Sequence, residues 1–416
     1  MGAVKSKSDH SAHRHTERQI LQQPPEQQQP PYNGVPCEYH FIRIDIPFSI
    51  KTSDPEMQMA MADQNAYVPH LLEMYSQGYR LLSFQLTPGS VHSSGFISIT
   101  STTMLRAQAI FRKNEPSENH ETFSLQVVKS SIESGTFLTG VQSTMQATTQ
   151  TQTHTQHLYK MIHDHACEGC RLRCIEITGC HQAPDSHMNN PQSMGIDSGM
   201  AHGQNIEHSV YGVDLFFEIQ QHQNPELYKY QAVPMKLNAT FHATFFCGQQ
   251  WELQMDWQGV MNHHLGSGWR LIEVFDDKSV DTSTSSGCCT ITSSLALNVI
   301  FIFEKPQSRL NDNTKVYEGT MIEYQAPWSA AGFNSSMVMD TNWDGAIGDM
   351  GQHGWELVTI LQTPATTTQT QFMSVKMTSL MWMFFQRRVV DTSMPLPIED
   401  PTGMEPPAPI LPTEIN

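Results

Sequence analysis

A short phrase recurs along the chain: a glycine, usually an aromatic residue, a charged residue and a leucine. It reads GYRL at Gly78–Leu81, GWRL at Gly268–Leu271 and GWEL at Gly354–Leu357. A fourth version, GCRL at Gly169–Leu172, has a cysteine in the aromatic position. Four copies of one phrase predict an internal repeat, and a repeat constrains the fold more than any other feature of this sequence.

A stripe of mostly apolar residues at helical spacing precedes each phrase. Its members lie eleven, eight, seven and four residues before the glycine, which places them on one face of a helix. The four stripes are Tyr67, His70, Leu71 and Met74; Leu158, Met161, Ile162 and His165; Trp257, Val260, Met261 and His264; and Trp343, Ala346, Ile347 and Met350. We therefore expect an amphipathic helix before every copy.

The glycine of each phrase is expected to end its helix, because glycine adopts the left-handed conformation at the C′ position without a Cβ clash. The residue after it begins a strand and shares one face of that strand with the leucine. In the third and fourth copies the other face is apolar too, so the strand is either covered on both sides or bulged. The residues concerned are Gly78 and Tyr79, Gly169 and Cys170, Gly268 and Trp269, and Gly354 and Trp355.

One further strand is predicted before each helix, and another after a polar loop that follows each phrase. The predicted fold class is therefore α+β: four β–α–β–β repeats, each a helix on a small, mainly antiparallel sheet, packed as two pairs. Whether the pairs join edge to edge or stack face to face is left open. The predicted bounds are 37–116 for repeat 1, 117–223 for repeat 2, 224–307 for repeat 3 and 308–390 for repeat 4.

Composition limits the class of protein. The formal net charge is −17, which argues against nucleic acid as a partner. The N-terminus has no apolar signal-peptide core, so we expect a cytosolic chain with reduced cysteines. Three polar segments are predicted to be unfolded: an arm at 1–36, a linker at 143–156 and a Pro-rich acidic tail at 391–416.

The first residues, MGAVKS, match an N-myristoylation motif with Gly2 as the acceptor and Ser6 at the last position. Lys5 and Lys7 would assist binding to an anionic membrane. A single myristoyl chain binds only weakly, with a constant of about 10⁴ M⁻¹, so a second signal is needed. Ala3 stands where a palmitoylated cysteine often lies, and the second signal is left to the basic residues, to oligomerisation or to a membrane-bound partner.

Four stretches resemble the raftlin family. LLEMYSQGY at Leu71–Tyr79 resembles an early helix end of that family, and VIFIFE at Val299–Glu304 resembles one of its late strands. HGWELVTILQTP at His353–Pro364 and FFQRR at Phe384–Arg388 resemble its closing segments. The resemblance runs in the same order from Glu38 to Arg388.

The resemblance implies a lipidated peripheral protein on the cytoplasmic face of the plasma membrane. It implies a link to lipid rafts, receptor signalling and endocytic uptake, with no catalytic residue and no cofactor. Raftlins of vertebrates have a cysteine at the third position, whereas this chain has Ala3. Stable partition into rafts is therefore less secure than the membrane contact itself.

Two other classes compete with the membrane reading. A soluble cytosolic scaffold of the same repeats needs no lipid. A zinc module is the other, because the sequence around Cys167 and Cys170 has ligand-like spacing. The repeat alignment weakens the zinc hypothesis, since Cys170 aligns with an aromatic residue in each of the other copies, which is expected to be a core position. The candidate ligands are His163, His165, Cys167, Cys170, Cys174, Cys180 and His181. No common hydrolase, P-loop or dinucleotide motif is present in the sequence.

Overall fold

The computed structural model describes residues 34–49, 62–93, 101–115, 118, 122–143, 146–182, 205–221, 225–244, 248–287, 290–331, 336–371 and 374–389. Within these ranges the chain forms four α-helices: α1 (Val68–Ser76), α2 (Gln156–Cys167), α3 (Trp257–Gly266) and α4 (Asp344–Gln352). The first strands are β1 (Tyr39–Ser49), β2 (Tyr79–Ser93), β3 (Ser101–Lys113), β4 (Phe123–Ser143), β5 (Gln146–His154), β6 (Cys170–Gln182), β7 (Asn205–Gln220) and β8 (Tyr228–Thr244). The later strands are β9 (Gly248–Gln254), β10 (Arg270–Ser286), β11 (Thr290–Pro306), β12 (Tyr317–Ala331), β13 (Ser336–Met339), β14 (Glu356–Gln371) and β15 (Ser374–Arg388).

The repeat is visible in the strand order. Repeat 1 orders its sheet β2-β3-β1, and the other three repeats follow the same pattern with one short strand added at the end. These are β6-β7-β4-β5, β10-β11-β8-β9 and β14-β15-β12-β13, and every pairing is antiparallel. Pairing between β5 and β10 joins repeats 2 and 3 into one eight-stranded sheet.

Each helix ends where the sequence predicted. The glycine of every phrase has a positive φ, between 73° and 85°, and a strand begins within two residues of it. The strands also share one irregularity, because the register of each shifts directly after the leucine of the phrase. The bulged residues are Leu82, Arg173, Ile272 and Val358, and all four are buried. A bulge and burial on both faces therefore occur together.

The predicted α+β class is wrong. The protein is mostly β, and its antiparallel sheets curl into half-barrels. The polar stretches after each phrase, read as loops, are the outer halves of long hairpins: β10 runs on to Ser286 and β11 begins at Thr290. Threonine-rich strands of this kind keep their backbone hydrogen bonds without needing an apolar face. A helix of nine to twelve residues is too short to cover strands of 13 to 21 residues.

The predicted unit of a helix on its own sheet is also wrong. Each helix packs on the first strand of the following repeat: α1 on β4, α2 on β8, α3 on β12, and α4 on β1. The cores show the same sharing. Trp343 and Ile347 beside α4 bury their side chains with Leu82 and Ile110 of repeat 1. Because the last helix covers the first strand, the four repeats form a closed circle.

The predicted packing in two pairs fails for the same reason. The strands that follow the four phrases, here called the axial strands (β2, β6, β10 and β14), contact one another in a cycle, each packing on the next and β14 on β2. Side-chain hydrogen bonds to the backbone link three steps of the cycle directly, and a fourth links β10 to β15, the neighbour of β14 in its sheet. The bridges are Leu86 N to Glu176 Oε1 (2.9 Å), Ile175 N to Glu273 Oε2 (3.0 Å), Leu271 N to Gln386 Oε1 (3.0 Å) and Gln85 Nε2 to Ile360 O (2.6 Å).

The predicted linker is a strand over most of its length. Gln146–His154 forms β5, which pairs with β4 on one side and with β10 on the other. Its alternating threonine and glutamine were read as low complexity, yet they form cross-strand hydrogen bonds such as Thr149 to Thr282 at 2.5 Å. The predicted arm up to Asn33 and the tail from 391 onward lie outside the described residues. Among the helices that the structure describes, none has the length and apolar character that crossing a membrane requires.

Candidate functional site

The charged third residue of each phrase marks one end of the circle of axial strands. Arg80, Arg171, Arg270 and Glu356 stand at equivalent positions, one residue before the buried leucine. Each faces a polar partner on the neighbouring strand of its own sheet. The register partners are Arg80 with Arg112, Arg171 with Glu218, Arg270 with Glu304, and Glu356 with Gln386. Each repeat therefore contributes one pair of polar residues, eight residues in all, to the same end of the circle of axial strands.

The seven charged residues among these eight, with Arg173 and Glu118, form an alternating series of ion pairs that we call the ion-pair chain. Its order is Arg173, Glu218, Arg80, Glu118, Arg112, Glu356, Arg270, Glu304 and Arg171. Representative distances are 2.6 Å from Arg173 Nη2 to Glu218 Oε1 and 3.1 Å from Arg112 Nε to Glu356 Oε2. No two like charges are consecutive, so each buried charge has an opposite neighbour.

Glu118 offsets the repulsion between two arginines of repeat 1. Arg80 and Arg112 lie directly opposite each other on β2 and β3, where like charges are unfavourable. Glu118 accepts hydrogen bonds from both guanidinium groups, including one from Arg112 Nη2 at 2.8 Å. It comes from the connection between repeats 1 and 2 and supplies the carboxylate that repeats 2 and 3 carry on the strand itself.

The arginines keep the carboxylates ionised. Burial alone raises the pKa of Glu218, but Arg173 and Arg80 pull that pKa well below its usual range. The pKa values of Glu118 and Glu356 fall to about 2 because hydrogen bonds and charges from neighbouring arginines outweigh the same burial effect. The pKa of Glu304 is lowered by Arg171 and Arg270 against the burial effect. These groups therefore hold no transferable proton at neutral pH.

A polar cavity of about 540 Å³ opens beside the ion-pair chain. Its charged lining residues are Arg80, Arg171, Arg270, Arg309, Arg388, Glu118, Glu218, Glu226 and Glu304. Two guanidinium groups are stacked on rings of the wall: Arg80 lies 4.0 Å from the centroid of Phe123, and Arg171 lies 4.5 Å from that of Tyr228. Stacking fixes the planes of these guanidinium groups, so the wall presents rigid donors and acceptors for a polar ligand.

The sequence reasoning missed this cluster, although a signal was present. The series Arg, Arg, Arg, Glu at one position of the repeat is visible in the sequence, but the sequence does not show the partners of these residues. The residues that were singled out have other roles. The Tyr79 ring contacts the His40 ring at a tilt of 44°, Lys305 Nζ lies 5.9 Å from the Trp269 ring centroid, and the Arg387 guanidinium lies 4.2 Å from the Trp355 ring centroid.

The residues predicted to carry or assist a lipid anchor, Gly2, Lys5 and Lys7, lie outside the described residues. Two of the candidate zinc ligands, His165 and Cys170, lie in one group with Glu168, and Cys167 and Cys174 do not belong to that group. The side chains of Cys180 and His181 lie outside the described residues. Cys167 is exposed and contacts His163, with 3.7 Å from Sγ to Nε2. Cys170 is buried in the core of repeat 2, and Cys174 is buried in the core under α1. A zinc site built on Cys167 together with Cys170 does not form.

Comparisons with protein-family models, with curated proteins and with solved structures find no match.

Proposed function

We propose that this protein is a non-enzymatic scaffold that binds the cytoplasmic leaflet of the plasma membrane through a myristoyl group on Gly2. The observation that carries the proposal is the sequence MGAVKS, with Lys5 and Lys7 beside the acceptor glycine. The raftlin-like stretches point to the same role in organising membrane microdomains, receptor signalling or endocytic uptake. The proposal requires that Gly2 becomes the first residue after Met1 is removed.

The closed circle of repeats supports the scaffold part of the proposal. α4 packs on β1 and Arg43 Nη2 lies 2.6 Å from Asp344 Oδ1, so the first and last repeats hold each other. A body closed in this way presents its surfaces in fixed relative positions, which suits the assembly of several partners. The ionised carboxylates of the cavity fit a recognition role better than proton transfer.

The cavity end suits an approach to an anionic leaflet. The chain carries a net charge of −17, yet the cavity lining includes the partly exposed Arg309 and the exposed Arg388. β15 ends at Arg388, and the start of β1 pairs with Arg112 of the ion-pair chain, so both ends of the described body lie near this cavity.

The test is partition of the full-length protein in cells fed an alkyne analogue of myristate. We expect the natural chain to carry the label and to sediment with membranes, and Gly2→Ala to do neither. Ala3→Ser, which leaves the acceptor glycine intact, is the matched control and should behave as the natural chain. Absence of label on the natural chain would exclude the anchor. Labelled protein that stays in the soluble fraction would favour the soluble scaffold instead.

A further inference from the structure

Repeat 2 differs from the other repeats at the turn between its helix and its axial strand. Three potential metal ligands meet there: His165 on α2, Glu168 in the turn, and Cys170 at the start of β6. One donor atom from each lies within 4.8 Å of the other two. The equivalent residues are Met74, Gln77 and Tyr79 in repeat 1 and His264, Ser267 and Trp269 in repeat 3, with Met350, His353 and Trp355 in repeat 4.

Repeat 3 provides an internal reference for His165. His264 occupies the same helical position, and its ring stacks on Phe303 as the ring of His165 packs on the equivalent Phe217. The Nδ1 atom of His264 lies 3.0 Å from the backbone oxygen of Val260 and is hydrogen-bonded to it. The Nδ1 atom of His165 is buried and has no hydrogen-bond partner among the described residues.

The orphaned Nδ1 atom of His165 lies beside Glu168 of the same ligand group. It lies 3.6 Å from a carboxylate oxygen of Glu168. Tetrahedral zinc with bonds of about 2.0 Å to nitrogen and oxygen holds such atoms about 3.3 Å apart, and a sulfur bond of about 2.3 Å widens the spacing slightly. A small closing movement of the turn would complete that geometry, and Glu168, being exposed, is free to make it.

We propose that His165, Glu168 and Cys170 form a zinc site with three protein ligands and a fourth position open to water or another small ligand. A thiolate, an imidazole and a carboxylate together suit Zn²⁺ better than Mg²⁺ or Ca²⁺. The ion displaces the proton of the Cys170 thiol, so binding releases one proton to solvent and forms one Zn–S bond. Affinity therefore rises with pH. This site is independent of the proposed membrane anchor.

The exposed pair of His163 and Cys167 is the rival metal-binding feature, since it is two ligands one helical turn apart. The proposal predicts that this pair is dispensable. It also predicts that the histidines of the N-terminal arm do not hold the ion. These histidines are intact in every variant used below, so a loss of binding in a variant cannot be assigned to them.

The test is metal binding by the full-length protein carrying no polyhistidine tag. We expect one Zn²⁺ per chain, and a thiolate-to-metal charge-transfer band when Co²⁺ is substituted. Cys170→Ser should abolish the band and Cys167→Ser should retain it. Glu168→Gln should weaken Zn²⁺ binding by at least about 10-fold, because about 10-fold is the smallest loss typical when a residue that only supports a metal ligand is changed. Glu168 is exposed, so the substitution keeps the fold intact. His264→Ala is the matched control and should leave binding unchanged.

Three results would overturn the site. Loss of the band in Cys167→Ser with its retention in Cys170→Ser would assign the metal to the exposed helix pair. Binding that neither Cys170→Ser nor Glu168→Gln weakens would assign it elsewhere in the chain. A metal-free protein that takes up no Zn²⁺ at micromolar concentration would exclude the proposal directly.

Discussion

Repeats 2 and 3 share one eight-stranded sheet and one backbone plan, but they fill equivalent positions with different chemistry. Where repeat 3 has Trp269, Ile272 and Phe275, repeat 2 has Cys170, Arg173 and Glu176. The backbone tolerates this exchange because both charged residues, Arg173 and Glu176, find a partner on their own sheet or on a neighbouring repeat. Arg173 bonds to Glu218, and Glu176 accepts from Leu86 N. The comparison teaches that the circle of strands fixes the geometry, while repeat 2 is the copy that departs most from an apolar core.

The largest expected effect is a loss of unfolding free energy on substitution of Glu218, compared with substitution of its equivalent in repeat 3, Glu304. Glu218→Gln leaves Arg173 buried without its ion-pair partner, and we expect a loss of about 3–5 kcal/mol in the free energy of unfolding. Glu304→Gln should cost less, about 1–3 kcal/mol, because Arg270 retains Glu356 and Arg171 is partly exposed and stacked on a ring. Urea unfolding of both variants measures the difference. Equal losses would show that the two repeats use their carboxylates alike.

The second comparison concerns the two glycines that end α2 and α3. Gly169→Ala and Gly268→Ala both place a side chain at a positive φ, which costs about 1–2 kcal/mol. A Cβ on Gly268 would also lie 2.8 Å from the backbone oxygen of Thr314, whereas at Gly169 the close atom, at 2.6 Å, belongs to the ring of Pro225. A ring atom can move more readily than a backbone oxygen. Thermal unfolding should therefore show a lower Tm for Gly268→Ala than for Gly169→Ala, and the reverse order would contradict this reading.

The third comparison concerns pH dependence, where the expected change is up to about 1.4 kcal/mol for each pH unit. Burial raises the pKa of Glu176 to about 8, from about 4.3 in an unfolded chain. The stability that its protonated form contributes is complete below about pH 4.3 and is lost as the pH rises through about 8. Glu118 and Glu356, with pKa values of about 2, act in the opposite sense and lose their contribution as the pH falls below about 4.3 towards 2.

Glu176→Gln tests this assignment, because the amide of glutamine does not ionise in this pH range. The equivalent residue of repeat 3, Phe275, has no ionisable group either. Unfolding free energies measured from pH 5 to pH 8 should fall less steeply in the variant, by up to about 1.4 kcal/mol per pH unit. Glu273, whose pKa burial raises to about 7, keeps part of the slope in both proteins. An unchanged slope would show that Glu176 is ionised in the folded protein.

The sequence predicted the local features well because local rules decide them. The glycine at each helix end requires a positive φ, and the apolar stripes and strand runs placed the helices and the main strands in the right order. The helix stripe, however, says only that a face is buried and not which sheet buries it. The placement of α1 on β4, and not on its own sheet alone, is decided by tertiary packing.

The candidate site was harder to predict than the fold elements. Arg80, Arg171 and Arg270 occur in the phrase itself, but nothing local distinguishes a charged residue at an exposed strand start from one in a buried ion-pair chain. Their partners come from other strands and, for Glu118, from a connection between repeats. The error over β5 has a related cause, because a Thr- and Gln-rich segment becomes a strand only when β4 and β10 offer it two edges.

The contact of α4 with β1 has a consequence for synthesis of the chain. Arg43 and Asp344, which meet at this contact, are 301 positions apart in sequence. At a translation rate of about 5–20 residues per second, α4 is synthesised on the order of 15–60 s after β1. Until then β1 lacks the helix that covers it in the folded protein. During that interval the apolar residues of β1 that α4 will cover, such as Phe41, are open to other chains. A nascent chain of this protein is therefore a natural client for chaperones until its final repeat has emerged.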